Sequence, residues 1–227
     1  MDKNTIIGFV LIAAVLIGFS LWNQPSKEEL ARQQQTEQLE KKAQAEAQQK
    51  KIENEARKTA TLQAAMADTS ALFHTALNGT EQKVTLRNGK LQLELTSKGA
   101  IVEKAVIKGF QDRNNRPDVT LFSGQNQRLS YTLASKDGFI NTADLYFTPS
   151  EQTDSTVTFT ATAAAGKQLV LKYRLGKDYL LHATLSVTGM DGILNPNTNT
   201  VDINWQERCA QQEKGFTFEN RYATLTY

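Results

Sequence analysis

The chain has 227 residues, 40% of them hydrophobic and 22% charged, which is room for one or two domains. Lys+Arg 26 against Asp+Glu 24 leaves a formal net charge of +2, without the basic excess of a dedicated nucleic-acid binder. The single cysteine, Cys209, excludes an intramolecular disulfide framework and a cysteine-rich zinc site, and it lies far from the N-terminus.

The first element is an uninterrupted apolar run from Thr5 to Trp22, free of charge and proline. Its eighteen residues span about 27 Å as a helix, against a hydrocarbon core of about 30 Å. Eleven of them are Ile, Leu, Val or Phe, each favouring insertion by about 0.3–0.6 kcal/mol at the helix centre. The run is apolar on every face, which argues against a buried helix of a soluble domain. Trp22, Asn23, Gln24 and Pro25 follow it, a poor match to the small-residue cleavage site of a signal peptide. The reading is an uncleaved signal-anchor over residues 1–23. Lys27, Arg32, Lys41 and Lys42 follow the span, so a count of positive charge would hold the downstream chain in the cytoplasm. Long regions cross largely regardless of charge, however, and charge alone leaves the orientation open.

Residues 24–80 read as a polar helical linker. Ser26 and Glu29 have the spacing of a capping box. From there to Ala67 the sequence lacks Gly and Pro and is dominated by Ala, Gln, Glu, Lys and Arg, strong helix formers. Leu30, Leu39, Ile52, Leu62 and Met66 are too sparse for the heptads of a coiled coil. Interleaved charges of both signs suit a solvated helix. A rigid spacer and a partly disordered tether both fit this composition. Asp68 to Thr80, with His74 and Asn78-Gly79, reads as a loop.

Residues 81–227 read as a β-domain. Lys83–Arg87 and Leu91–Leu95 flank Asn88-Gly89, a hairpin signal. Further alternating runs predict strands at 101–107, 119–122, 129–133, 144–147, 156–162, 168–175, 179–188 and 201–205. Glycines at 79, 89, 99 and 109 suggest a turn about every ten residues, the rhythm of an antiparallel β-sandwich. The fold class expected is mainly β.

Nucleotide-, metal- and nucleophile-binding motifs are absent from the sequence. His74 falls in the linker. Period-2 alternation puts Tyr179, Leu181, Ala183, Leu185 and Val187 on one strand face, and His182 with Thr184 and Ser186 on the solvated one. Cys209 has no sequence-adjacent base or metal partner. Trp205, Phe216, Phe218, Tyr222 and Tyr227 read as core residues. No catalytic, cofactor-binding or metal-ligating residue is assigned, and no cofactor is expected.

The order of parts, with the opening MDKNTIIGFVLIAAVLIGFSLWN, the stretch Leu91–Val102 and the stretch Lys172–Leu181, resembles the N-terminal region of the YidC-type membrane protein insertases of Gram-negative bacteria. The resemblance covers essentially the whole chain, but its motifs are strand patterns and not an invariant site. It implies a first transmembrane helix followed by a large periplasmic β-sandwich (a supersandwich, related in shape to mutarotase-like sugar-binding folds), cut short at its C-terminal end. Insertion in that family is the work of further transmembrane helices and a hydrophilic groove holding an arginine, so no functional residue carries over to a position here. It implies no enzymatic activity, a place in the inner membrane with the β-domain in the periplasm, and nascent membrane proteins and the Sec translocon as partners. Nucleic acid and small-molecule substrates are not expected.

Two other architectures begin similarly. A periplasmic adaptor of the membrane-fusion type would show a second helix returning to the β-part, and one long helical stretch is legible. A carbohydrate-binding mutarotase-like domain would need a histidine and carboxylates in one cleft, and His74 and His182 sit poorly for that.

Overall fold

A computed structural model describes residue 12 and residues 27–222, apart from 165 and 209. The chain divides into two compact units, Met1–Ala60 and Thr61–Tyr227. The signal-anchor run, Ile12 excepted, the capping serine Ser26, Cys209 and Tyr227 lie outside the described residues. Among the described residues no helix is long and apolar enough to cross a membrane.

The linker segment is helical. Helix α1 runs Lys27–Ala67, 41 residues long, and presents Leu39 and Ile52 to solvent. Such a helix owes its order to backbone propensity, not to a buried stripe. Its last turns differ. Leu62, Ala65 and Met66 belong to the second unit and pack against its core.

Residues 68–80, expected as a loop, contain a helical turn, α2 (His74–Leu77). Phe73, Ala76 and Leu77 on it are buried in the core. The turn is held by Asn78, whose Nδ2 donates to Met66 O at 2.9 Å and to His74 O at 3.0 Å. No alternation announces so short an apolar cluster, because it packs on the strand Thr156–Ala164, some eighty positions downstream.

Among the described residues eleven strands follow, all paired antiparallel, in three sheets. The first sheet has the order β1-β2-β3-β4, with β1 Lys83–Arg87, β2 Leu91–Thr96, β3 Ile101–Gln111 and β4 Pro117–Ser123. The second has the order β10-β9-β8-β7, with β7 Thr148–Ser150, β8 Thr156–Ala164, β9 Lys167–Leu175 and β10 Leu181–Thr188. The third is β11-β5-β6, with β5 Gln127–Ser135, β6 Gly138–Asn141 and β11 Val201–Glu207.

Alternation decides which side chains meet. Register pairs Val84 with Leu95 and Leu86 with Leu93, so these side chains share one face. In the second sheet Val157 pairs with Tyr173, Phe159 with Leu171 and Ala161 with Leu169. All of these are at most 4% exposed, and together they form one core. The two faces meet as a β-sandwich: Tyr173, deep in the second sheet, donates its hydroxyl to Ala100 O at the end of the first, 2.7 Å away. Burial pushes the Tyr173 phenol far above its ordinary range, so the group stays a donor.

Several strand expectations need correction. Gly109 lies inside β3 at φ 81°, where the register with β4 slips; it marks a bulge, not a turn. The strand expected at 144–147 is instead a 3-10 turn at Thr142–Asp144 followed by a single bridge, Tyr146 to Lys98. Leu145 and Phe147 are buried all the same. Strands β6 and β7 are too short for a detectable period. The largest correction concerns the aromatic residues after β10. Trp205, Phe216, Phe218 and Tyr222 are 63–74% exposed and contribute nothing to the core. The last three lie on a short helix, α3 (Phe216–Tyr222). Aromatic content alone misled here, since residue type does not say whether an opposing surface is present.

Candidate functional site

Three constellations stand out among the described residues. The first is the turn between β2 and β3. Ser97 is fully buried, its Oγ accepts from Gln82 N at 2.8 Å, and its carbonyl accepts from Phe147 N at 2.9 Å. Gly99 and Ala100 both have positive φ, 73° and 52°. Reversing the chain there lets Gly99 N donate to Leu145 O at 2.8 Å. Lys98 reaches over the Tyr146 ring at 4.0 Å and donates Nζ to Asp144 O at 2.8 Å. Burial pulls the Lys98 ammonium below its ordinary pKa, against the opposing influence of Asp144 and Glu81. This turn is a clasp on residues 142–147. Its polar atoms are spent on backbone, so its chemistry is structural.

The second is a groove of about 440 Å³ between the β3–β4 hairpin and residues 210–212. Asp112 organises the hairpin tip: Oδ1 accepts from Asn114 N at 2.8 Å and Arg116 N at 2.9 Å. Its Oδ2 pairs with the Arg116 guanidinium at 2.7 Å. Across the groove Arg113 donates to Gln211 Oε1 at 2.7 Å, and Gln212 Nε2 donates to Thr120 O at 2.8 Å. Glu219 of α3 then accepts from Gln212 N at 2.7 Å. The groove's polar groups are thus largely engaged with one another, fastening the segment after β11 to the first sheet.

These bonds, those to the Arg116 backbone foremost, hold the Asp112 carboxyl below the usual carboxylate range. A carboxylate with a lowered folded pKa stabilises fully above its unfolded value, about 3.9, and that contribution is lost as pH falls through the lower folded value. The hairpin tip is therefore expected to keep slow amide exchange at Asn114 and Arg116 down to about pH 4 and to loosen below it. A carbon-detected NMR titration in which Asp112 ionises at or above an ordinary aspartate value would contradict this arrangement.

The third is a set of exposed apolar side chains on β11 and α3: Val201, Ile203, Trp205, Phe216, Phe218 and Tyr222. The sequence reading assigned the four aromatic ones, Trp205, Phe216, Phe218 and Tyr222, to the core.

The histidines are far less engaged. His182 lies on β10 opposite Arg174 and is exposed, the face alternation gave it. His74 caps nothing catalytic; its ring nitrogen lies 3.4 Å from Asn78 Nδ2. Among the described residues no three His, Cys, Asp or Glu side chains group as metal ligands would. Carboxylates that do cluster are neutralised: Lys83 Nζ lies 3.3 Å from Glu94 Oε1 and 2.8 Å from Glu103 Oε2, and these contacts raise the lysine's own pKa.

Comparison with known proteins agrees with this picture of a β-domain. The family model of the YidC periplasmic domain matches residues 83–226. A curated relative from Phocaeicola vulgatus, membrane protein insertase YidC, is 40% identical over the whole of this chain and 36% of its own length. The proteins of the same name from Bacteroides fragilis and Porphyromonas gingivalis are 37% and 32% identical, again over the whole chain and 37% of their own lengths. No solved structure matches. The chain spans little more than a third of the length of these relatives. With a family model over most of the chain and relatives up to 40% identical along its whole length, the assignment is plain: the chain belongs to the YidC family of membrane protein insertases.

Proposed function

We propose that this chain is the N-terminal part of an inner-membrane insertase. Residues 1–23 anchor it, residues 24–80 form the linker, and residues 81–227 form the periplasmic domain, of supersandwich, mutarotase-like form. The compact unit reaches back into the linker as far as Thr61. The observation that carries this reading is the match of residues 83–226 to a periplasmic domain, downstream of an uncharged run long enough to span a bilayer.

The work of the whole protein is to shelter polar parts of an inserting segment, which in bare lipid cost several kcal/mol per unsatisfied group. That is a solvation task. It proceeds without covalent chemistry, nucleotide or metal, and its substrates are nascent membrane proteins, taken alone or from the Sec translocon. The β-domain contributes a contact surface on the periplasmic side.

The orientation is tested by protease treatment of spheroplasts expressing the chain. Digestion of the β-domain from outside is expected in intact spheroplasts. Complete protection until lysis would place the domain in the cytoplasm and remove this reading.

A further inference from the structure

The β1–β2 and β9–β10 turns lie together at one end of the β-domain, and they present a surface that packing does not explain. Alternation predicts Tyr179 on the same face as Leu181, but β10 begins only at Leu181. Tyr179 and Leu180 stand instead in the turn before it, 47% and 60% exposed. That turn is fixed. Gly176 N donates to Leu180 O at 2.9 Å, and Leu180 N donates to Asp178 Oδ1 at 3.0 Å. Asn88 ties it to the neighbouring hairpin through Gly176 O and Asp178 O. The turn's backbone is thus held internally while the ring and the leucine stay in water. Phe110, on the part of β3 that runs past the β1–β2 turn, is a third exposed apolar side chain.

Cations stand beside these side chains. Lys90 reaches over the Tyr179 ring at 5.3 Å. Lys108 N donates to Lys90 O at 2.8 Å, one step beyond the register pair of Leu91 with Ile107, so two lysines lie across from each other. Like charges so placed repel. Lys177 belongs to the β9–β10 turn itself and is exposed. Among the described residues none of these three lysines joins an ion pair. The nearby carboxylates are already committed. Asp178 holds Leu180 N, Asp154 pairs with Arg87 at 3.2 Å, and Asp118 accepts from Gly109 N at 3.1 Å. Unpaired lysines beside an exposed tyrosine and leucine suit a lipid interface. There the amphipathic ring sits at headgroup level, the aliphatic side chain enters the acyl boundary, and ammonium groups meet phosphate.

We propose that this end of the domain docks on a bilayer surface carrying anionic lipid, with Lys90, Lys108 and Lys177 on headgroup phosphates and Tyr179 and Leu180 in the interface. The proposal rests on the reading of the chain as membrane-anchored, because tethering to the bilayer supplies the effective concentration that so small a patch needs. Helix α1 has 41 residues, about 60 Å, which is long enough for either end of the domain to reach the lipid. Two turn tips side by side also meet a plane more readily than they grip a peptide.

The test uses the 227-residue chain reconstituted in vesicles, with Cys209→Ser and a bimane label on Gly89→Cys. Gly89 lies in the β1–β2 turn outside the left-handed region, and a Cβ there meets nothing within 4 Å. Phe139→Cys carries the label for reference. It lies on β6, which leads into residues 142–147, held by the clasp at the opposite end of β2. The vesicles are phosphatidylcholine alone, or phosphatidylcholine and phosphatidylglycerol in equal parts, each with headgroup spin-labelled lipid as quencher. Quenching at Gly89→Cys should be about three-fold stronger or more with phosphatidylglycerol, and unchanged at Phe139→Cys. High salt should remove most of that difference, since it shortens the reach of charge to a few ångströms. Lys90→Glu combined with Lys177→Glu should abolish it with the circular dichroism spectrum unchanged, and the salt arm needs no charge variant.

Equal quenching at Gly89→Cys in the two vesicle types would overturn the proposal and leave these turns to a protein partner with an acidic surface. Quenching that high salt leaves intact, or that rises alike at both labels, would overturn it as well. A chain that alkaline carbonate strips from the vesicles, yet is quenched at Gly89→Cys beforehand, would remove the anchor and leave the docking standing. An anchored chain unquenched there would overturn the docking alone.

Discussion

Phe159→Ala is expected to destabilise the β-domain by about 3–5 kcal/mol, the usual cost of deleting a buried aromatic side chain. Phe159 is fully buried on β8. Its neighbours on β9 are Leu171, directly opposite it, and the Tyr173 ring, edge-on at 6.2 Å and 81°. Removing the ring leaves a void between the sheets that strand backbones on both sides hold open. Transfer and cavity costs therefore add. Against a typical domain stability of about 5–15 kcal/mol, the loss is about a fifth of the total or more. Phe139→Ala is the matched control, because Phe139 is 77% exposed and its removal should change stability by no more than about 0.5 kcal/mol. Urea unfolding followed by circular dichroism separates the two. A change under about 1 kcal/mol for Phe159→Ala would mean that the core between these sheets is not packed as described.

Asn88→Ala is expected to cost about 2–3 kcal/mol, a large effect for a surface turn. The Asn88 carboxamide oxygen accepts from Lys90 N and Leu91 N, each at 2.7 Å. Its Nδ2 donates to Gly176 O and Asp178 O, each at 2.8 Å. One side chain thus closes the β1–β2 hairpin and ties it to the loop after β9, nearly ninety positions away. With each bond worth about 0.5–1.5 kcal/mol net, the four exceed what a two-residue turn normally carries. Asn88→Asp separates the two roles. It keeps both acceptor contacts, loses both donors, and sets a carboxylate against two carbonyls. Amide exchange should then accelerate across residues 176–180 while the hairpin itself stays closed. Exchange unchanged in that loop would show that the long-range tie contributes nothing.

The same residue shows how far local sequence rules reach. Asn88-Gly89 predicts a hairpin, and one is present. The usual reason for that signal is positive φ at both turn residues, and neither Asn88 nor Gly89 has it. The turn forms through the asparagine side chain, an outcome the dipeptide permits but does not specify. Lys98-Gly99 is similar. A turn there was legible from the small residues, whereas the clasp on Tyr146 and Asp144 depends on a segment some forty-five positions later.

The functional reading came from resemblance across the whole chain, not from a site. His182 could be placed on a solvated face from alternation alone, because strand faces repeat every two residues. Trp205 could not. Its strand shows the same alternation, but whether an apolar face is buried depends on what lies opposite, and no strand encodes its own neighbour.

What the sequence by itself determined is everything with a local period or a local breaker. That includes the gap-free helix of α1, built from residues with high intrinsic propensity, and the long strands whose two faces differ in polarity. It also includes the β-class that follows from them. The tertiary structure alone decided which strands became neighbours and which edges were left open. It drew Phe73, Ala76 and Leu77 into the core from a stretch without alternation, and it left Val201, Ile203 and Trp205 outside despite theirs. The physical reason is that hydrophobic burial is non-directional and scales with the area removed from water. A residue's contribution is therefore set by the surface that comes to face it, often from a hundred positions away, and not by the residues beside it in the chain.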